Sequence, residues 1–171
     1  MIAQVPPTGT ARPRRDALKR GLDRVLERAL FVLLSAMTLA VLWQVFSRFV
    51  LRDPSSVTEE LARFLMIWVG LLGATYAIGQ RLHPAVGIAH LALARRLPLR
   101  GLTKALPRLL VAAFAALVLV GGGSELVRLT FQLEQTSAAM GLPLGWVYAA
   151  LPISGAFLIL YSWCLPPDGD R

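Results

Sequence analysis

Charge is scarce in this chain. Only 16% of its 171 residues are charged, where a soluble domain of similar length has about 25%. Sulfur and imidazole are scarcer still. One cysteine, Cys164, allows no internal disulfide. That cysteine with His83 and His90 is too small a set for most metal sites. There is no Ser-His-Asp set, no phosphate-binding glycine loop and no carboxylate within an apolar run. No enzyme activity and no cofactor is therefore expected. A haem-type electron carrier would need axial ligands on facing helices, and both histidines fall in one loop. A small autonomous exporter would need a membrane carboxylate in its first span, which has none. What the chain has is apolar residues, 56% of the total, in long uninterrupted runs, with a mean hydropathy of +0.59. That is the composition of an integral membrane protein.

The order of residues predicts an all-α, four-helix membrane protein. Residues 1–13, rich in Pro, Thr and Gly, read as a disordered tail. Residues 14–171 read as a single four-span membrane domain, with spans at about 29–47, 64–80, 107–128 and 144–165. An amphipathic lead-in, 14–28, places Leu18, Leu22, Val25 and Leu26 at helical spacing against Lys19, Arg20, Asp23, Glu27 and Arg28. It is expected to lie at the membrane surface. The segment 81–108 carries six basic residues and no acid. Within it, 87–97 predicts a short interfacial helix on an anionic leaflet, stopped by Pro98. A nucleic-acid partner is not expected of basic residues beside such apolar spans.

Several small-residue patterns suit close helix contact: Ala36 with Ala40, the face Gly70–Ala74–Ala77, and Gly121-Gly122-Gly123, which reads as a hinge or a packing site. Glu125 and Arg128, three residues apart, can pair. The fourth span is bounded by Trp146 and Tyr148 at one end and by Tyr161 and Trp163 at the other, an aromatic belt, with a kink expected at Pro152.

The stretch 53–70 joins a turn to the second span. Asp53-Pro54-Ser55-Ser56 is turn chemistry. Ser56, three residues before Glu59, is predicted as the helix cap. Glu59 and Glu60 fall in the first turn, where the helix dipole favours acids, and Arg63 can pair with either. The bland reading is a well-made helix entry. The same residues carry a resemblance. Arg48-Phe49-Val50-Leu51, Pro54, Thr58-Glu59-Glu60-Leu61-Ala62-Arg63 and Trp68 resemble the signature of the small permease (Q) subunit of tripartite ATP-independent periplasmic (TRAP) transporters. A second block, 137–148 with Pro143, Trp146 and Tyr148, followed by Pro152, is similar to the same family, and the resemblance extends over about 30–165. The loop His83-Pro84-Ala85-Val86-Gly87 matches the family's His and Val but lacks its acid, so a role resting on that acid does not carry over. His83 itself reads either as a cation at a helix end or as a ligand.

Charge sets an expected topology. Seven basic residues precede the first span, three follow it, six follow the second, and one follows each of the third and fourth. By the positive-inside rule both termini are expected in the cytoplasm, with Glu59–Glu60 and 134–145 facing outward; the resemblance implies a bacterial inner membrane. The spans lack the polar or broken midplane helices of a lone transporter, which favours a helper subunit. The resemblance implies which one: a subunit that braces the large permease subunit and helps dock a periplasmic solute-binding protein, for sodium-gradient-driven uptake of an organic anion, in particular a carboxylate.

Overall fold

The first helix does not stop where the apolar run begins. In the computed structural model, which describes residues 13–53, 55–80 and 109–164 and side chains from 17 onward, α1 runs unbroken over Pro13–Phe46. Proline suits the first position of a helix because its missing N–H would be unpaired there anyway. At 34 residues α1 is about 50 Å long, well beyond a ~30 Å hydrocarbon core. Lead-in and span are thus one continuous helix. The rod widens into a π-turn over Ser47–Leu51 and ends at Arg52, whose left-handed φ of 55° turns the chain.

Helix α2 covers Ser56–Gly79. Its cap is Ser55, not Ser56. Ser55 is extended, its Oγ accepts from the Thr58 N–H, and the Thr58 hydroxyl donates back to the Ser55 carbonyl. The shift by one residue lets Thr58, rather than Glu59, close the reciprocal pair. Helix α3 covers Leu109–Gln132 and α4 covers Gly145–Cys164. All four helices are long and apolar enough to span a bilayer. Residues 1–12, Pro54, His83 and the expected interfacial helix at 87–97 lie outside the described residues.

Helices α1, α2 and α4 meet at one end, where Leu22, Leu26, Leu72, Tyr161 and Cys164 form a core backed by Leu30, Leu33, Trp68, Tyr76 and Phe157. Among the described helices, α3 packs on α4 alone. The order α1–α2–α4–α3 leaves broad apolar faces uncovered: Phe31, Leu39 and Phe49 on α1 and its π-turn, and Leu117 on α3 are each at least two-thirds exposed. In water such faces would be untenable; in a bilayer or against another membrane protein they are ordinary.

Small residues set the two closest approaches. Thr75 and Gly79 of α2 face Ser154 and Tyr161 of α4. The Thr75 hydroxyl donates to the Leu71 carbonyl at 2.9 Å and lies 3.5 Å from that of Ser154. A Cβ at Gly79 would stand 2.6 Å from the Tyr161 ring. Between α3 and α4, Gly155 abuts Ala115, Leu119 and Val120. Those residues lie in an eight-residue π-segment, Ala115–Gly122, so the widened turn of α3 sits where α4 has no side chain. Gly123 meets Leu151 and Pro152, which makes the glycine triplet a packing site at its last member. By contrast Gly70 has open space around it and Ala74 is exposed, while Ala77 is half-buried. Pro152 interrupts α4 at Ala149: lacking an N–H, it cannot bond the Tyr148 carbonyl, and regular helix resumes at Ala150.

Candidate functional site

The charged turn at the start of α2 splits into two jobs. Arg63 pairs with Glu59, Nη2 to Oε1 3.2 Å, across one helical turn. Both side chains are more than half exposed, so the pair contributes about 0–1 kcal/mol. Glu60 points the other way. Its Oε2 accepts the backbone N–H of Ala139 at 2.9 Å and of Met140 at 3.2 Å. The carboxylate of α2 thereby clips the loop that joins α3 to α4.

That loop is built to present those amides. Glu134, at φ 49°, reverses the chain after α3, and its N–H bonds the Phe131 carbonyl. Thr136 and Pro143 then stand opposite each other as a single antiparallel bridge, with the Ser137 N–H on the Leu142 carbonyl and the Leu144 N–H on that of Gln135. Gly141, at φ 65°, turns the tip, which is why a glycine sits there. Ser137 is buried, and its Oγ shares the Met140 N–H with Glu60. The result is a tight knot whose 139–140 amides converge on one carboxylate. Beside it Ser56, Glu59, Glu60, Arg63, Ala138 and Ala139 line an open concavity of about 190 Å³.

The remaining sequence-predicted positions fall around this end or away from it. Trp146 is two-thirds exposed and meets Phe131 edge-to-face, ring centres 6.1 Å apart, while Gly145 lies under the same Phe131 ring. Pro143 is in the loop bridge and Tyr148 in the first turn of α4. Pro152 sits lower, against α3. Arg48, in the π-turn, is exposed and, like Arg52, makes no ion pair among the described residues, so neither joins the Glu59–Arg63 pair. Trp68 packs toward the core instead of the loop. Pro54 and His83 lie outside the described residues.

The opposite end holds contacts that sequence reasoning missed. The Tyr161 hydroxyl of α4 donates to Asp23 Oδ1 of α1 at 2.6 Å. The Tyr76 hydroxyl of α2 donates to Glu27 Oε1 at 2.7 Å. Two acids one turn apart in a basic helix are thus held by tyrosines from two other helices. Asp23 is half-buried beside the apolar core, where a carboxylate needs a donor, whereas Glu27 is exposed.

Among the described residues no group of three or more His, Cys, Asp and Glu is placed to hold a metal. The fold and this site define a multi-pass membrane subunit organised by helix contacts and one clipped loop. Comparison with known proteins gives the family. Residues 37–164 match the model of the tripartite ATP-independent periplasmic transporters, DctQ component. The sialic acid TRAP transporter small permease protein SiaQ of Vibrio cholerae is 32% identical over 140 residues, covering 78% of this chain and 75% of the relative. A TRAP transporter small permease protein of Haemophilus influenzae is 27% identical over 141 residues, covering 81% and 83%. The chain belongs to the DctQ family of TRAP transporter small permease subunits, multi-pass proteins of the inner membrane. This family is a transporter component rather than an enzyme class.

Proposed function

We propose that this subunit braces the large permease subunit of a TRAP transporter and helps seat its periplasmic solute-binding protein, in sodium-gradient-driven uptake of an organic anion, a carboxylate in particular. The single observation that carries the reading is the clip between Glu60 and the 139–140 amides. It ties the start of α2 to the α3–α4 connection and so fixes the relief of one whole end of the molecule. A receptor that must dock repeatedly is best served by a preorganised surface, since ordering a loose loop on each encounter costs affinity. The uncovered apolar faces of α1 and α3 supply contact area for the large subunit and for lipid. Both chain ends then lie in the cytoplasm, and the clipped end faces the periplasm, an orientation that the distribution of basic residues favours. The Vibrio relative is named for sialic acid, itself an acid.

The motif residues enter this proposal with distinct roles. Glu60 holds the loop. Glu59 and Arg63 present paired charge at the rim. Trp146, Pro143 and Tyr148 shape the adjoining turn, and Arg48, Pro54, Trp68, His83 and Pro152 complete the motif set. The test is co-purification of the large subunit, and uptake in vesicles, for Glu60→Ala and Arg63→Ala against Arg52→Ala. Both motif variants are expected to lower assembly or uptake more than Arg52→Ala does. Parent-like assembly and uptake in both would reduce the motif to a helix start.

A further inference from the structure

Helix α1 carries a row of arginines that make no ion pair among the described residues. Arg20, Arg24 and Arg28 recur every fourth residue, so they line one side of the helix. All three are exposed, and none forms an ion pair among the described residues. That is unexpected from spacing alone. Asp23 stands three residues after Arg20, and Glu27 three after Arg24, a separation at which opposite charges on a helix commonly meet. The tertiary structure withdraws both acids. Tyr161 takes Asp23 and Tyr76 takes Glu27, each through a hydroxyl donated at 2.6–2.7 Å. Asp23 is half-buried and Glu27 stays exposed, each engaged by a tyrosine, while the three arginines make no ion pair among the described residues.

The same side of the rod continues directly into exposed apolar residues. Phe31, Leu39 and Leu42 follow at helical spacing and are 74%, 67% and 60% exposed. A cationic stripe that passes without a break into an uncovered apolar stripe has the polarity of a phospholipid laid along it. Guanidinium groups bind phosphate oxygens through forked hydrogen bonds. We propose that this face of α1 is a binding site for an anionic phospholipid, with the headgroup phosphate on Arg20, Arg24 and Arg28 and an acyl chain along Phe31, Leu39 and Leu42. The Tyr–carboxylate bonds act as positioning contacts, because they prevent the acids from neutralising the site.

The experiment uses the full chain purified in a zwitterionic detergent and titrated with phosphatidylglycerol or phosphatidylcholine, with bound lipid counted by native mass spectrometry. Phosphatidylglycerol is expected to be retained in preference. The variant R20Q/R24Q/R28Q is expected to bind it on the order of a hundredfold more weakly, from roughly fivefold per arginine near an anionic headgroup. Arg128→Gln, which removes an exposed arginine already paired with Glu125, should leave retention unchanged. Should the triple variant misfold by circular dichroism, Arg24→Gln alone is expected to weaken binding roughly fivefold. The variant Y76F/Y161F keeps every arginine but frees the acids, and is expected to weaken phosphatidylglycerol binding too; no change there would remove the tyrosines from the mechanism. Equal retention of the two lipids, or parent-like binding by the arginine variants, overturns the site. Displacement of phosphatidylglycerol by excess inorganic phosphate would overturn it as a lipid site and mark it as a free-phosphate site.

Discussion

Removing one oxygen atom tests how the three-helix end is held. In Tyr161→Phe the ring stays in place, fully buried and packed over Gly79, while the hydroxyl that donates to Asp23 at 2.6 Å is lost. A hydrogen bond to a charged group contributes about 1.5–3 kcal/mol net. Asp23 is only half-buried, so water can partly replace the lost donor. That places the expected loss at the lower end, about 1.5 kcal/mol, or roughly tenfold in the folding equilibrium. Tyr76→Phe should cost less, because Glu27 is exposed and rehydrates freely. Gly79→Ala makes the opposite perturbation. It keeps the hydroxyl but sets a methyl group 2.6–2.8 Å from three ring atoms of Tyr161, an overpacking that costs about 1–3 kcal/mol. The measurement is unfolding of the full chain in mixed micelles as the denaturing detergent fraction rises, followed by circular dichroism. A double-mutant cycle isolates the bond. Asp23→Asn should cost clearly less in the Tyr161→Phe background than in the parent, while Gly79→Ala should cost nearly the same in both. Independent effects of Asp23→Asn and Tyr161→Phe would refute the bond's contribution to stability.

Glu60→Ala should speed hydrogen exchange of the Ala139 and Met140 amides, and Glu60→Gln should do so less, because an amide oxygen still accepts; unchanged exchange in the alanine variant would mean the loop holds itself. Gly155→Ala places a methyl group 2.7 Å from Leu119 Cβ and 3.2 Å from the Ala115 carbonyl, and should destabilise the α3–α4 pair by about 1–3 kcal/mol in the same unfolding assay. Gly70→Ala, with nothing within 4 Å, should be neutral or stabilising by up to ~1 kcal/mol; a loss comparable to that of Gly155→Ala would contradict the packing described. A reporter fused after Arg171 should be active only as a cytoplasmic type, and periplasmic activity would reverse the proposed topology.

Features that depend only on neighbours within a turn or two of helix were legible in the sequence. Four apolar runs became four helices because the bilayer leaves the backbone no other partner than itself. Arg63 met Glu59, and Arg128 met Glu125, because residues three or four apart share a helix face. The cap of α2 was legible to within one residue for the same local reason. Every contact that crosses between helices depends instead on how they pack. Arg63 could equally have taken Glu60, and only the α3–α4 loop, some eighty residues away, drew that carboxylate off. The amphipathic lead-in was legible from its spacing. That two tyrosines, one of them 138 residues distant, take its acids was not, because those contacts cross between helices. Of the small-residue face Gly70–Ala74–Ala77, Gly70 and Ala74 stay uncovered within the described chain, and the close contact with α4 forms at Thr75 and Gly79. Spacing identifies which residues share a face, but only the position of α4 determines which face is covered.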